Sequence, residues 1–313
     1  MPMLRSISKD DKPAFGTAEY IWVKDGKLHG KTRVITVMIP KQGDGTPIIE
    51  WWTTDGMLLL PAHYVPNPLR PSPAYIVLCE VRDMQDHVVE WNTRAPLRMH
   101  EPQMTKVAGI WMGISATFTI SISEIGVVLN AFMAAAIDAG IMIHSLSQTD
   151  FKVGPRQAGN LDTDPPSPLI VCDHYWIAWY LLQSITVTHA AILQHGTVPN
   201  RYYVSTKTSR ESSKVARQIA DGMKSLKMPH VGIVAPDRGY TTVRGKTEPD
   251  QDPYVVATAV VDEIFVAMKI KGDTDGTQKS SYSRRTHQWW QNDSNSGVGP
   301  SLGGQDPDPD RAG

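Results

Sequence analysis

The chain has 313 residues, a formal net charge of −1 and 41% hydrophobic residues. That length carries one large core or two smaller ones, and the near-neutral charge gives no field that would recruit nucleic acid or an anionic membrane. Its two cysteines, Cys79 and Cys172, lie far apart with no C-x-x-C partner, the usage of buried thiols in a reducing, cytoplasmic compartment.

Residues 1–13 mix charges without the apolar run of a secretory signal and are expected to be a flexible lead-in. Ala18 to Val23 alternates as a strand, and Asp25-Gly26 marks a hairpin turn into a β-branched return strand over Leu28 to Met38. A Gly-rich loop follows from Lys41 to Pro47. Pro61, Pro66, Pro68, Pro71 and Pro73 predict an extended loop rather than a central strand or long helix. Tyr75 to Val81 is a continuous apolar run, the pattern of a strand covered on both faces.

From residue 107 onward strands and helices mix. Val107 to Ile122 is a strand candidate, and Ser123 to Ala139 a helix closed by Gly140. Ile125 to Ile143 has the length of a membrane span, but Asn130, Asp138 and the lack of basic flanks favour a buried helix. A short strand is expected over Asp150 to Val153 and a loop over residues 156–168. Asp173 is a candidate cap for a helix through Trp176, Tyr180 and Ile185. Thr206 or Ser209 is placed to cap another, with Ala216, Ile219, Ala220, Met223 and Leu226 as its apolar stripe. Asp252-Pro253 opens a last helix to about Met268. Beyond Gly272 the composition turns to Gly, Ser, Asp, Pro and Gln, and disorder is expected over 273–313. The fold class is therefore α+β, with an N-terminal domain over 14–100 and a second over 101–272.

The catalytic motifs of several common classes are missing. The ten histidines form no H-E-x-x-H, no G-x-S-x-G nucleophile turn occurs, and neither G-x-G-x-x-G nor a Walker-type loop is present. What does stand out is Trp111-Met112-Gly113-Ile114-Ser115-Ala116-Thr117-Phe118-Thr119-Ile120. This stretch resembles a strand of glutamine synthetases of the eukaryotic type that reads W-F-G-x-E-Q-E-Y-T-L. Ala18-Glu19-Tyr20-Ile21-Trp22, Lys31-Thr32-Arg33, Asn67-Pro68-Leu69-Arg70, Leu78-Cys79-Glu80-Val81 and Asn92-Thr93-Arg94 resemble further ordered segments of the same family. The resemblance runs from about residue 17 to 268, with gaps.

The resemblance implies a β-grasp-like N-terminal domain followed by an incomplete glutamine-synthetase-type catalytic domain. It implies ATP-dependent ligation of ammonia to glutamate, with Mg or Mn as cofactor, in an oligomeric ring. It also locates the losses. The family's two strand glutamates are Ser115 and Thr117 here, and a hydroxyl offers a hard cation neither the charge nor the oxygens of a carboxylate. Glu50-Trp51 with Asp55-Gly56 resembles the element that deprotonates ammonium, so Asp55 is the candidate general base, or simply a turn aspartate before glycine. Asp150, in Thr149 to Pro155, stands where a metal-binding glutamate belongs, and Lys152 replaces a glutamine; a metal ligand and a surface ion pair are both open readings. Within Asn200 to Lys207, Ser205 is the candidate nucleotide-contacting hydroxyl, or a capping serine. Arg201 replaces a histidine there, glycines are absent, and Tyr202 and Tyr203 are expected to fill the space. The family's arginine-rich section after His230 is missing, as is a block between residues 121 and 124, and several strands of the family's catalytic sheet are expected to be lost with them. Three readings follow: an active synthetase with an unusual site, a noncatalytic homologue joining a homo- or hetero-oligomer, or a decayed gene product.

Overall fold

The computed structural model describes residues 12–39, 46–104, 107, 109–121, 123, 125–154, 167–190, 192–195, 200–207, 210–237, 240–247 and 251–269. The lead-in before residue 12 and the tail 273–313 lie outside these residues. The described chain is a mixed α+β structure of two sheets and five helices.

The first sheet is built from β1 (Lys12–Lys24), β2 (Lys27–Ile39), β3 (Thr46–Pro47), β4 (Trp52–Thr54), β5 (Met57–Pro66) and β6 (Ala74–Arg82), in the order β3-β2-β1-β6-β5-β4. The central pair, β1 and β6, is parallel, and its other pairs are antiparallel. Asp25 and Gly26 close the first hairpin with φ of 51° and 67°. Two successive positive φ values give the turn whose twist matches the flanking strands. Tyr20, Trp22, Val37, Leu59, Val77 and Val81 form the core on one face. The proline-rich segment departs from the loop expectation, because Met57 to Pro66 is β5. Its ladder with β6 shifts register between Pro61 and His63, and β4 pairs only as far as Leu59. Both prolines thus fall at a bulge or on an unpaired edge, where a missing N–H costs no ladder bond.

The second sheet comprises β7 (Ile110–Ser121), β8 (Ile143–Leu146), β9 (Asp150–Val153), β10 (Ile192–His195), β11 (Arg201–Lys207), β12 (Gly232–Asp237) and β13 (Tyr240–Lys246). Its order is β12-β13-β11-β7-β9-β8, with β10 also paired to β7. The chain after His230 therefore supplies an antiparallel hairpin, β12–β13, to this sheet. Met112, Ile114, Ala116 and Phe118 of β7 are buried on one face, as period-two alternation requires. That face carries α3 (Pro168–Thr188) and α4 (Arg210–Ser225). Phe151 meets Tyr175 and Trp179 of α3 with ring centroids 6.0 and 6.2 Å away. The stripe Ala216, Ile219, Ala220, Met223 and Leu226 is buried as the sequence predicts.

The remaining helices are α1 (Arg94–Met104), α2 (Ile125–Asp138) and α5 (Pro253–Met268). No helix among the described residues is long and apolar enough to cross a membrane. Asp252 caps α5, accepting from the Tyr254 N–H at 2.9 Å. The cap of α3 is Ser167, ahead of the expected Asp173. Asp173 instead lies within the helix, fully buried, because it answers a cation from another element. That cation is Arg94, at the start of α1, a helix the sequence patterns do not reveal. Its Nε and Nη2 donate to Asp173 at 2.9 and 2.7 Å, and its Nη1 to Glu80 of β6 at 2.6 Å. Tyr254 of α5 donates its hydroxyl to the same Asp173 at 2.8 Å.

A second interlayer contact is the edge-to-face pair His63–His174, with centroids 5.3 Å apart. His174 Nδ1 accepts from the Met142 N–H at 3.2 Å. Burial, then the neighbouring His63, brings His174 down to about 4, and burial lowers His63 in the same direction. Asp252 goes the other way, raised to about 6 by burial.

Replacing Arg94 with Ala leaves the buried Asp173 without its cation and Glu80 with Arg98 alone, and should cost about 3–5 kcal/mol in urea unfolding; Arg94→Lys should rescue little, since one ammonium cannot reproduce the fork. The pH dependence follows from the histidines. Their folded values lie below the unfolded one, so the unfolded chain takes up the extra protons. Stability from His174 is present above about 6.5 and lost as pH falls through the interval towards 4. Asp252 opposes this below about 6. Comparing His174→Gln with the parent between pH 7 and 4 isolates the histidine, and the variant should lose on the order of 3 kcal/mol less over that range.

Candidate functional site

The face of the second sheet opposite its helices collects the residues singled out from the sequence. Ser115 of β7 stands across from Arg201 of β11 on one side and Lys152 of β9 on the other. Thr117, two residues along, stands across from Asp150. Cross-strand partners share a face and i, i+2 positions share it too, so Ser115, Thr117, Asp150, Lys152 and Arg201 form one polar surface. Gly154 ends β9 against it with φ of +123°; a Cβ there would sit 2.8 Å from the Cα of Gly113, so only glycine lets β9 lie this close to β7.

Asp150 is engaged locally. Its Oδ2 accepts from Ser115 Oγ at 3.1 Å, and its Oδ1 accepts from Ser147 Oγ in a short hydrogen bond. Ser147 Oγ also accepts from the Asp150 N–H at 3.1 Å, closing a compact turn before β9. One carboxylate, two hydroxyls and a neighbouring Lys152 do not fit a divalent cation, which takes several charged or neutral oxygens and no ammonium beside them. Among the described residues no group of three or more His, Cys, Asp or Glu side chains is placed to hold a metal ion.

Ser205 lies on the same face but is also paired. Its hydroxyl shares a 2.9 Å hydrogen bond with Thr242 of β13, and it stands across from Trp111, whose ring meets Tyr240 edge-on at 5.1 Å. Tyr202 and Tyr203 do not fill one space together. Strand alternation sends Tyr202, fully buried, to the helix side and Tyr203 to the polar side.

Asp55 belongs to the other sheet. It occupies the β4–β5 hairpin turn with Gly56, φ 52° and 72°, matching the Asp25-Gly26 turn. Its carboxylate is 59% exposed and lies 2.7 Å from Lys31 Nζ. Lys31 also donates to Thr54 Oγ1 at 2.8 Å, Arg33 donates to the Trp51 carbonyl at 3.3 Å, and Tyr20 donates to the Glu50 carbonyl at 2.8 Å. The sheet curls so that β1 and β2 hold this segment through their side chains.

Three contributors escape a reading of the sequence. Asn200 is buried where β10 gives way to β11; it accepts from the Thr117 N–H at 3.2 Å and donates to the Tyr175 hydroxyl at 3.2 Å. Its position beside Arg201 is the available signal. Arg244 and Lys246 extend the polar face on β13, as the alternation Thr242, Arg244, Lys246 against Thr241, Val243, Gly245 encodes.

No family model matches the chain. A glutamine synthetase from Streptomyces viridochromogenes is 28% identical over 215 residues, covering 53% of this chain and 58% of that protein. The chain is similar to a glutamine synthetase over that span. The match thus takes in little more than half of either protein.

Titrating Mg²⁺ or Mn²⁺ should leave the melting temperature within about 1 °C of its value in EDTA, because ligand-linked stabilisation requires binding to the folded state. A saturable rise that Asp150→Asn removes would instead make Asp150 a metal ligand.

Proposed function

We propose that this chain is a degenerate glutamine synthetase homologue in which ATP-dependent ligation of ammonia to glutamate is lost or strongly impaired. In this reading residues 14–100 correspond to the β-grasp-like domain and 101–272 to a shortened catalytic domain, in a cytoplasmic protein. The observation that carries it is the polar face of the second sheet. At the two positions where the resemblance calls for glutamates stand Ser115 and Thr117, and the one nearby carboxylate among the described residues, Asp150, is occupied by serine hydroxyls beside Lys152. Phosphoryl transfer rests on positioning and charge neutralisation, and removing a preorganised electrostatic group lowers the rate by about two to three orders of magnitude. Asp55 as general base and Ser205 as a nucleotide-binding hydroxyl remain part of the active-enzyme alternative; both side chains hold other partners, Lys31 and Thr242.

A specific observation favours a role in assembly. Phe15 and Val34 are 82% and 65% exposed on the face of the first sheet opposite its core, and Trp51 is 61% exposed. Exposed apolar groups of this size suit contact with another subunit, either a second copy or an intact synthetase. The buried thiols Cys79 and Cys172 are unpaired, which suits a reducing compartment.

The γ-glutamyl hydroxamate assay, with glutamate, hydroxylamine, ATP and Mg²⁺ or Mn²⁺, should read at background for the full chain; metal-dependent product that Asp55→Asn abolishes would establish a working enzyme. Light scattering after size exclusion, alone and mixed with an intact synthetase, tests assembly. An oligomer or mixed species that Phe15→Ser disperses is expected, and a strict monomer in both runs rejects the subunit role.

A further inference from the structure

His63 of β5 and His174 of α3 meet where the first sheet rests on the helical layer, with ring centroids 5.3 Å apart and planes at 80°. His174 is buried and His63 half-buried. The His174 ring also holds a third piece of chain, since its Nδ1 accepts from the Met142 N–H at 3.2 Å. The Met142 carbonyl accepts in turn from the Gly154 N–H at 3.2 Å, so one residue connects α3 to the end of β9. Just beyond, the ladder between β8 and β9 is irregular between Ile143 and Ser145. This corner therefore leans on the imidazole more than on strand pairing.

A ring nitrogen accepts only while it keeps its lone pair, so the Met142 N–H fixes the neutral tautomer that carries its proton on Nε2. The next proton has only Nδ1 to enter. There it sets N–H against N–H, and the half-buried Met142 amide loses its acceptor. Burial disfavours the charged form of both rings. Arg94 of α1 adds to that at His63, and His63 adds to it at His174. Asp173, the preceding residue of α3, pulls the other way, but it is already bonded to Arg94 and Tyr254. On the remaining side Ala139 to Ile143 carries no titratable side chain, and His144 is the one such group in β8.

We propose that the His63–His174 pair is an acid-operated latch: neutral, it closes β5 and the Met142 turn onto α3, and protonated, it releases that corner while the Arg94 ion pairs keep the layers joined. The device goes beyond the reading of the chain as a degenerate synthetase and uses no residue of the polar face. Both rings hold a proton less readily when closed. The closed form is thus favoured above about 6.5 and gives way as pH falls towards 4.

Hydrogen exchange of the full chain, read by mass spectrometry at pH 7 and pH 5 and corrected for the intrinsic pH dependence of amide exchange, tests it. The opening equilibrium of Met142 to Leu146 should rise about tenfold at pH 5, while α4 and β13 stay within about twofold. His174→Asn keeps an acceptor oxygen near the Nδ1 position and cannot titrate, so it should hold the segment closed at both pH values. Long-range ¹⁵N NMR of the histidine-labelled parent needs no variant. His174 should be the Nε2–H tautomer at pH 7 and gain its Nδ1 proton over the interval in which the segment opens. Equal protection at both pH values, the same acid response in His174→Asn, loss of protection in all segments together, or an Nδ1–H tautomer at pH 7 overturns the proposal. None of these readouts depends on ligase activity, so the latch and the synthetase reading stand or fall separately.

Discussion

Arg94 takes a full positive charge into the interior, and the elements around it are arranged to receive it. Asp173 takes its fork bidentately, Glu80 takes the remaining nitrogen, and Arg98 reaches the far oxygen of Glu80 at 3.1 Å. The residues just before it extend the fastening. Asn92 donates to the Val81 carbonyl at 3.0 Å, and Thr93 to Asp252 at 2.6 Å. Four elements thereby meet at one point: β6 of the first sheet, α1, α3 and α5. A buried ion pair is weak evidence for net stability, since desolvation offsets much of the attraction. Its strength lies in geometry, because a bidentate fork tolerates few alternative positions of its partners. The docking of the first sheet on the helical layer, and through α3 the placement of β7, follow from that requirement.

From this point the second sheet can be read outward. The aromatic cluster of Phe151, Tyr175 and Trp179 presses β9 onto α3, and Gly154 allows β9 to lie against β7. The register so fixed sets Thr117 opposite Asp150 and Ser115 opposite Lys152. A slip of one residue would send this whole row to the helix side. The polar face is thus a consequence of packing on the other face, and its composition is free to change without loss of the fold.

How much of this is legible in the sequence depends on where each signal is stored. The Asp25-Gly26 turn, the Asp252-Pro253 cap and the stripe from Ala216 to Leu226 rest on local chemistry, and local patterns display them. Strand β5 is hidden because proline is a penalty only where an N–H is wanted, and which edge is free is a tertiary fact. Asp173 looks like a helix cap because its type favours caps; its partner Arg94 lies 79 residues away, and no local pattern announces it. The candidate site is partly visible. Ser115, Thr117 and Asp150 stand out as neighbours in chemistry, and the register places them together. Arg244 and Lys246 do not, because a two-residue alternation of cations looks like an ordinary solvated strand until its opposite strand is known.

The charge on that face is as telling as its geometry. The hydroxyls of Ser115 and Thr117 alone would leave a neutral surface, poor at binding anything charged. Here the same row also carries Lys152 and Arg201, with Lys246 and Arg244 beyond. Cations drawn together on a packed sheet raise the energy of the fold unless something negative shares the site, and the described residues offer only Asp150, already bonded to two serines. Concentrated on one face, these cations give it a positive potential that the packing of the opposite face does not require.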